Sequence, residues 1–449
     1  MLRAMNGDSN REHWSSRLGF TLAAIGSAVG LGNMWRFSYM TAENGGAAFV
    51  VLYLAMTAFV GLPVMLAELA LGRGASRSPI QALAHYGGKR WRPLGILFVA
   101  SGFLILAYYS VIAGWTVRYA VSALVTGFPD DAGARFSQVA AGWEAVAWHL
   151  GFMAVTVWVV SGGIRAGIER SALVLMPLLG SLVVGLAVYA ASLDGAGPGY
   201  RYYFHTSFAA ILDWKVLADA AGQAFFSLSL GMGAMLTYAS YLHREHDLPR
   251  EAITISLADF SVAFLAGMVV FPLLFALGLQ SQVIGTAGTA HEVGSLGALF
   301  VVLPAAFHAM GMVGRLVGLL FFIALVLGAL TSAISLLEVV VASALDGLGW
   351  PRRKAAWLLG GAIAGLGVPA ALDTNVLGVM DQIGGNIFLL AGGLMLSVFV
   401  GWVAHETAEE AGVGTSFAGL GAWRWLLRWF VPPVLGAVLV VQVAKLFGS

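Results

Sequence analysis

The segment GSAVGLGNMWRF, residues 26–37, interrupts the first long apolar run of the chain. Its glycines are followed at once by Asn33 and Arg36, two polar side chains that are costly inside a lipid bilayer. A second interruption, SLSLGMG at residues 227–233, lies in the sixth apolar run. Unwound backbone at membrane depth persists only where protein, ions or water meet the freed polar groups. Breaks at matching positions in two halves of a chain favour a binding site near the membrane midplane.

Close helix packing is the alternative explanation for these glycines. The chain has 58 glycines, and Gly-x-x-x-Gly patterns such as Gly26/Gly30 and Gly361/Gly365 are typical of helices in close contact. Asn33 and Arg36 favour a binding site at the first break, because packing alone does not require polar side chains there.

The composition excludes a water-soluble protein. Of 449 residues, 59% are hydrophobic and only 10% are charged, with a mean hydropathy of +0.84, whereas about 25% of an ordinary soluble domain is charged. The net charge of +1 leaves no basic surface for a nucleic-acid backbone, so nucleic-acid binding is excluded too. Cysteine is absent, which removes disulfides and thiolate metal sites.

About eleven apolar runs are long enough to cross a hydrocarbon core of about 30 Å, which takes roughly 20 helical residues. The sequence therefore predicts an all-α integral membrane protein with a single domain over residues 1–449. Residues 286–308 are apolar but short and contain a proline, which favours an interfacial or re-entrant segment. The predicted spans are 17–41, 46–72, 94–127, 142–162, 169–193, 216–242, 250–281, 311–345, 354–371, 375–405 and 424–447.

The distribution of Lys and Arg predicts the orientation. With the N-terminus inside, 17 of the 24 Lys and Arg residues lie in the N-terminal segment or in loops on the same side of the membrane, namely those after spans two, four, six and eight and before span eleven. This bias predicts a cytoplasmic N-terminus and a multi-pass protein of the cell membrane. Two five-helix halves, about 17–193 and 216–405, would each begin with an interrupted helix, and 424–447 would form an additional helix.

Several motifs together resemble the neurotransmitter:sodium symporter family, most closely its bacterial amino-acid transporters. They are REHWSSRLGF (11–20), GSAVGLGNMWRF (26–37), AENGG (42–46), GQAFFSLSLGMGAMLTYASY (222–241) and ALTS (329–332). The resemblance covers nearly the whole chain. It implies a five-plus-five inverted repeat with unwound first and sixth helices, and sodium-coupled import of neutral hydrophobic amino acids by alternating access.

The resemblance also implies two sodium sites, and sodium, like other hard cations, binds oxygen ligands. The first would use the carbonyl of Ala28, the side chains of Asn33 and Asp259, the hydroxyl and carbonyl of Ser227, and the substrate carboxylate. The second would use the carbonyls of Gly26, Val29 and Gly328 and the hydroxyls of Thr331 and Ser332. For these last two, a hydrogen bond to a carbonyl one turn back in their own helix is the alternative.

Asp259 has a further implied role. Animal members of the family depend on chloride near the first sodium, and bacterial members are implied to replace that anion with a fixed carboxylate, so no chloride requirement is expected. A position at the cytoplasmic end of its helix, where Asp259 would simply be solvated, is the alternative.

The implied substrate site is apolar apart from the groups that hold the amino acid backbone. Tyr109 would hydrogen bond the substrate carboxylate beside the freed amides of the first break. Gly30 stands where monoamine carriers have an aspartate, which favours an intact α-amino acid. The implied substrate residues are Ala28, Gly30, Leu31, Gly32, Ile105, Tyr109, Phe226, Ser229, Met232 and Leu336.

Two gates are implied as well. The outer gate would be the ion pair Arg36–Asp381, with Phe226 and Tyr109 beneath it and Gln223 nearby. The inner gate would be Arg11–Asp346, supported by Trp14, Ser240 and Tyr241. Static ion pairs that fix helix ends are the alternative.

An enzyme is not expected, because neither an H-E-x-x-H nor a G-x-S-x-G motif occurs and the nine histidines are scattered. A transport-inactive amino-acid sensor and a proton-coupled transporter stay open as alternatives. The oligomeric state is not predicted.

Overall fold

The structure, a computed structural model, describes residues 12–205, 211–280, 294–415 and 417–447. Every predicted span has a helical counterpart, and nine unbroken helices within the described ranges are long and apolar enough to cross a membrane. Two further helices, α1 and α6, are interrupted. The helices that correspond to the predicted spans are α1 (Arg17–Ala28 and Gly32–Glu43), α2 (Ala47–Ala75), α3 (Lys89–Val125), α4 (Trp143–Ser161), α5 (Ile164–Ala191), α6 (Trp214–Ser227 and Ala234–Ala239), α7 (Leu248–Ala276), α8 (Gly311–Leu348), α9 (Arg352–Leu372), α10 (Thr374–Val403) and α11 (Leu420–Ala444). Shorter helices in the connections are Pro79–Gly87, Ala132–Ala140, Ala196–Phe204, Gly294–Ala309 and Glu406–Gly412.

The break in α1 follows from its sequence. Ser16 begins the helix by accepting a hydrogen bond from the Gly19 amide, and Val29 ends the first half in an extended conformation. The two halves meet at an angle of 48°. Gly30 and Gly32 flank Leu31 at this bend, so the first predicted interruption is confirmed.

The break in α6 is a run of left-handed residues. Ser229, Gly231 and Gly233 have φ angles of +54°, +78° and +72°, which no continuous right-handed helix accommodates. Glu68 of α2 satisfies freed amides here, accepting hydrogen bonds from Gly231 (2.9 Å) and Leu236 (3.2 Å). A buried carboxylate therefore stabilises the second interruption.

Both breaks pack against unbroken helices. The long helices α3 and α8 make the most extensive helix–helix contact, and α8 also packs against the first half of α1. A Cβ atom at Gly231 would overlap the carbonyl oxygen of Leu389 in α10, so this glycine permits a close backbone approach. By contrast, Gly361 and Gly365 of α9 have open space around them, and their pattern does not mark helix packing within this chain.

The connection between α7 and α8 contains a helix at Gly294–Ala309. Its 16 residues are fewer than the roughly 20 that a membrane span needs. It was predicted as part of an interfacial or re-entrant segment, 286–308, whose first residues lie outside the described ranges.

Candidate functional site

A buried polar cluster joins the break in α1 to α6 and α7. The Asn33 Nδ2 group donates to Ser227 Oγ (2.9 Å), the Asp259 carbonyl oxygen (3.0 Å) and Asp259 Oδ1 (2.6 Å). Tyr53 of α2 donates to Asp259 Oδ2 (2.9 Å) and approaches Ser227 Oγ (3.0 Å). All four residues are at most 1% exposed. Asp259 is therefore enclosed within the helix bundle, and its solvated alternative is wrong.

The geometry of this cluster suits a small cation. Three oxygen atoms, from Ser227 and Asp259, converge on the single point that the Asn33 amide nitrogen occupies. The Asn33 Oδ1 atom accepts a hydrogen bond from the Gly30 amide (2.9 Å). Tyr53 was absent from the sequence-based site, since a tyrosine in an apolar run has no distinguishing pattern.

A second cluster lies where α1 meets α8. Ser332 Oγ donates to the carbonyl oxygens of Gly26 and Ser27, both at 3.3 Å. A Cβ at Gly328 would lie 3.6 Å from the Val29 carbonyl oxygen. The predicted members of the second sodium site are thus brought together.

The hydroxyl of Thr331 is bonded differently from that of Ser332. It donates within α8 to the carbonyl oxygens of Leu327 (3.2 Å) and Gly328 (3.1 Å). This is the intrahelical hydrogen bond predicted as the alternative to a role in binding sodium. A Cβ atom at Gly26 of α1 would nevertheless lie 3.0 Å from Thr331 Cβ, so Thr331 still faces the α1 backbone.

A small, mostly apolar cavity lies between the two clusters. Leu31, a predicted substrate residue, is not part of the lining, but its amide donates to the hydroxyl of the lining residue Tyr109 at 3.2 Å. Two lining residues, Ser332 and Leu389, were not among the predicted substrate residues. The lining residues that were predicted are Ala28, Gly30, Gly32, Ile105, Tyr109, Phe226, Ser229, Met232 and Leu336.

Arg36 lies against Phe226, one of the residues that line this cavity. Its guanidinium lies 4.5 Å from the centre of the Phe226 ring, and Nη2 donates to Asn386 Oδ1 at 2.7 Å. The Asp381 carboxylate instead lies beside the Tyr108 hydroxyl, so Arg36 is bound by Asn386 and not by the predicted partner. Asn386 lies in the π-helical segment Gln382–Phe388 of α10, which begins directly after Asp381.

Gln223, another predicted gate residue, contacts α1. Its amide donates to the Gly32 carbonyl oxygen at 2.9 Å, which ties α6 to the second half of α1.

The predicted inner gate is only partly described, since Arg11 lies outside the described residues. Asp346 accepts a hydrogen bond from the Ser78 amide (2.6 Å). Trp14 donates from its indole to the Tyr238 carbonyl oxygen (2.9 Å), and Tyr241 donates to Glu338 (2.7 Å). Ser240 is hydrogen bonded within its own segment, to the Thr237 carbonyl oxygen at 2.6 Å.

Two broken helices, buried oxygen clusters and a central cavity between them define a membrane transporter. The family model described as "Sodium:neurotransmitter symporter family" matches residues 11–141 and 134–448. The chain belongs to this family, which is a transporter family and not an enzyme family.

Similar proteins agree with this assignment. An uncharacterized sodium-dependent transporter of Methanocaldococcus jannaschii is 34% identical over 98% of this chain and 92% of its own length. An uncharacterized sodium-dependent transporter of Bacillus subtilis, YhdH, is 34% identical over 93% and 95%. The crystal structure of MhsT in complex with L-phenylalanine matches 96% of this chain and all of its own, with a TM-score of 0.86 and 40% identity. The family and these names indicate sodium dependence, and the predicted family and fold class are confirmed.

Proposed function

We propose that this protein couples the import of neutral hydrophobic amino acids to sodium. The observation that carries the proposal is the small, mostly apolar cavity bordered by two clusters of buried oxygen atoms. The bound L-phenylalanine of the similar MhsT structure supports a hydrophobic amino acid as substrate.

The first sodium would take the point on which the Ser227 and Asp259 oxygens converge. The Asn33 amide would rotate to turn its oxygen toward the ion, and the Ala28 carbonyl and the substrate carboxylate would complete the shell. The substrate carboxylate would contact both the first sodium ion and the region of the Leu31 amide. Substrate binding would therefore be coupled to ion binding.

The second sodium would lie between α1 and α8. Its oxygen ligands would be the carbonyls of Gly26, Val29 and Gly328 and the hydroxyls of Thr331 and Ser332. The Ser332 hydroxyl already faces the freed α1 carbonyls, which supports this placement. An ion there would stabilise the junction of the first half of α1 with α8.

The contacts of Asp259 support transport that does not require chloride. Its carboxylate accepts hydrogen bonds from the hydroxyl groups of Tyr53 and Ser227, which would otherwise be free to bind an external anion. A fixed negative charge beside the first sodium balances that ion inside the low-dielectric bundle.

The lining of the cavity supports selection by size and hydrophobicity. Ile105, Phe226, Met232, Leu336 and Leu389 offer no charge to a substrate side chain. Gly30 leaves no room for an acidic group, since a Cβ atom there would lie 2.8 Å from the Tyr109 hydroxyl. The amine of the substrate would therefore be bound by backbone carbonyl oxygens and not by an acidic side chain. This favours an intact α-amino acid as substrate.

Transport would proceed by alternating access with the N-terminus in the cytoplasm. Sodium and substrate bind from outside, Arg36 and Phe226 close over them, and release of the second sodium loosens the first half of α1. Coupling requires sodium to bind the outward-facing state more tightly than the inward-facing one, because equal affinity shifts no population.

The test is uptake of labelled L-phenylalanine and L-leucine into proteoliposomes under an inward sodium gradient. Potassium and pH gradients serve as matched conditions. Asn33→Ala should abolish accumulation, whereas Asn375→Ala, at an exposed position of α10, should not. Accumulation driven by a pH gradient alone would favour proton coupling, and binding without accumulation under any gradient would favour a sensor.

A further inference from the structure

The segment before α1 is bound to the start of α5 by one carboxylate. Glu169 Oε1 accepts hydrogen bonds from Ser15 Oγ (2.7 Å), Ser16 Oγ (2.8 Å) and the Ser16 amide (3.1 Å). Its Oε2 atom accepts from the Ser15 amide (2.8 Å). Four donors on two adjacent residues therefore converge on a single side chain.

The surroundings of Glu169 favour a negatively charged side chain. The residue is only 1% exposed, and it lies at the N-terminus of α1, where the helix dipole favours a negative charge. A Cβ atom at Gly19 would overlap the carboxylate, so glycine at this position leaves the space that Glu169 fills. Hydrogen bonds to an ionised carboxylate are roughly twice as strong as neutral ones.

A second buried carboxylate holds the same half-helix from another side. Glu251, in the first turn of α7, accepts from Arg17 Nε (2.6 Å) and from the Thr21 hydroxyl (2.7 Å). Glu251 is also only 1% exposed. The N-terminal end of α1 is thus held between α5 and α7 by two carboxylates.

The other end of this half-helix is the break at Val29–Leu31. A half-helix with a break at one end and two carboxylate contacts at the other can swing once those contacts separate. Glu12 adds a further attachment to α5, because its Oε2 atom accepts the Ile164 amide at 2.5 Å. The polar contacts that the first half of α1 and the segment before it make to α5 and α7 are therefore concentrated at the end farthest from the break.

We infer that Glu169 and Glu251 form a latch that keeps the first half of α1 closed, and that its release opens the cytoplasmic side of the site. The inference rests on the proposed function for its direction of transport. Both glutamates are positioning residues, since they contact neither the cavity nor the oxygen clusters.

The test uses the absence of cysteine from the chain, which makes a single introduced thiol the only target for a maleimide. Ala24→Cys reports on the first half of α1, where Ala24 is fully buried. Ile112→Cys reports on the opposite side, one helical turn beyond Tyr108 in α3. Labelling rates are measured on full-length protein in detergent, with sodium and with potassium, in the background of Glu169→Gln.

Glutamine keeps the size of the side chain but replaces one acceptor oxygen with a donor. We expect Glu169→Gln to raise the labelling rate at Ala24→Cys by about tenfold and to lower the rate at Ile112→Cys, because access alternates between the two sides. Glu144→Gln is the matched control, since Glu144 pairs with Arg118 and Arg135 away from α1 and should change neither rate.

Faster labelling at both reporters would indicate a loosened fold and overturn the inference, as would unchanged rates at both. If Glu169→Gln does not yield folded protein, the double variant Ser15→Ala and Ser16→Ala keeps the backbone bonds and should give a smaller change in the same direction. Labelling does not require transport, so a failure of sodium-driven uptake in the unmodified protein would count against the proposed function alone.

Discussion

Gly30→Ala is the most informative substitution at the centre of the site. A Cβ atom at this position would lie 2.8 Å from the Tyr109 hydroxyl and closer still to Ser332 Oγ. Both atoms must move to reach ordinary contact distance, which is 3.4 Å or more. Tyr109 would then separate from the Leu31 amide, and Ser332 from the Gly26 and Ser27 carbonyls.

The magnitude follows from the cost of an added methyl group in a filled interior, about 1–3 kcal/mol. A loss of this size corresponds to roughly 5- to 150-fold in affinity. Because the displaced groups border both the cavity and the second oxygen cluster, we expect the affinities for substrate and for sodium to fall together.

The assay is equilibrium binding of labelled L-phenylalanine at several sodium concentrations. Gly361→Ala is the control, because its Cβ atom would meet no neighbour within 4 Å and the helix should tolerate alanine. Wild-type affinity in Gly30→Ala would refute the proposed position of the substrate beside α1. A loss confined to sodium affinity would also contradict it, since Tyr109 is assigned to the substrate carboxylate.

Three further substitutions test the supporting structure. Gly231→Ala should lower the thermal unfolding midpoint, because its φ angle is +78° and its Cβ would overlap the Leu389 carbonyl; an unchanged midpoint would contradict that close approach. Glu68→Ala leaves two buried amides without an acceptor, at about 1–3 kcal/mol each, and should reduce the free energy of unfolding more than Glu68→Gln does. Asp259→Ser frees the Tyr53 hydroxyl, so initial uptake rates should become higher in chloride than in gluconate, whereas Asp259→Glu should show no such difference.

Much of the site was predictable because its residues lie in continuous motifs. The two interruptions contain Gly30, Asn33, Ser227 and Ser229, and both breaks occur where the glycine-rich stretches place them. The left-handed backbone of the break in α6 depends on local residue types, since glycine accepts left-handed angles that other residues resist.

The partners of these residues depend on contacts between distant segments. Arg36 is bound by Asn386, which lies in a π-helical segment of α10 that leaves no signal in the sequence. Tyr53 and Glu68 lie in the apolar run of α2, where nothing marks their roles at Asp259 and at the second break.

Membrane location, the number of helices and the positions of both breaks follow from the order of residue types along the chain, because hydrophobicity and backbone preference are local properties. The pairing of buried polar groups follows from helix packing, because a donor buried in the bundle takes the acceptor that packing brings within reach. Glu169 is an example of a contact that only packing determines. No motif around it in the sequence indicates its role, and its carboxylate gains four hydrogen-bond donors only because α5 packs against the start of α1.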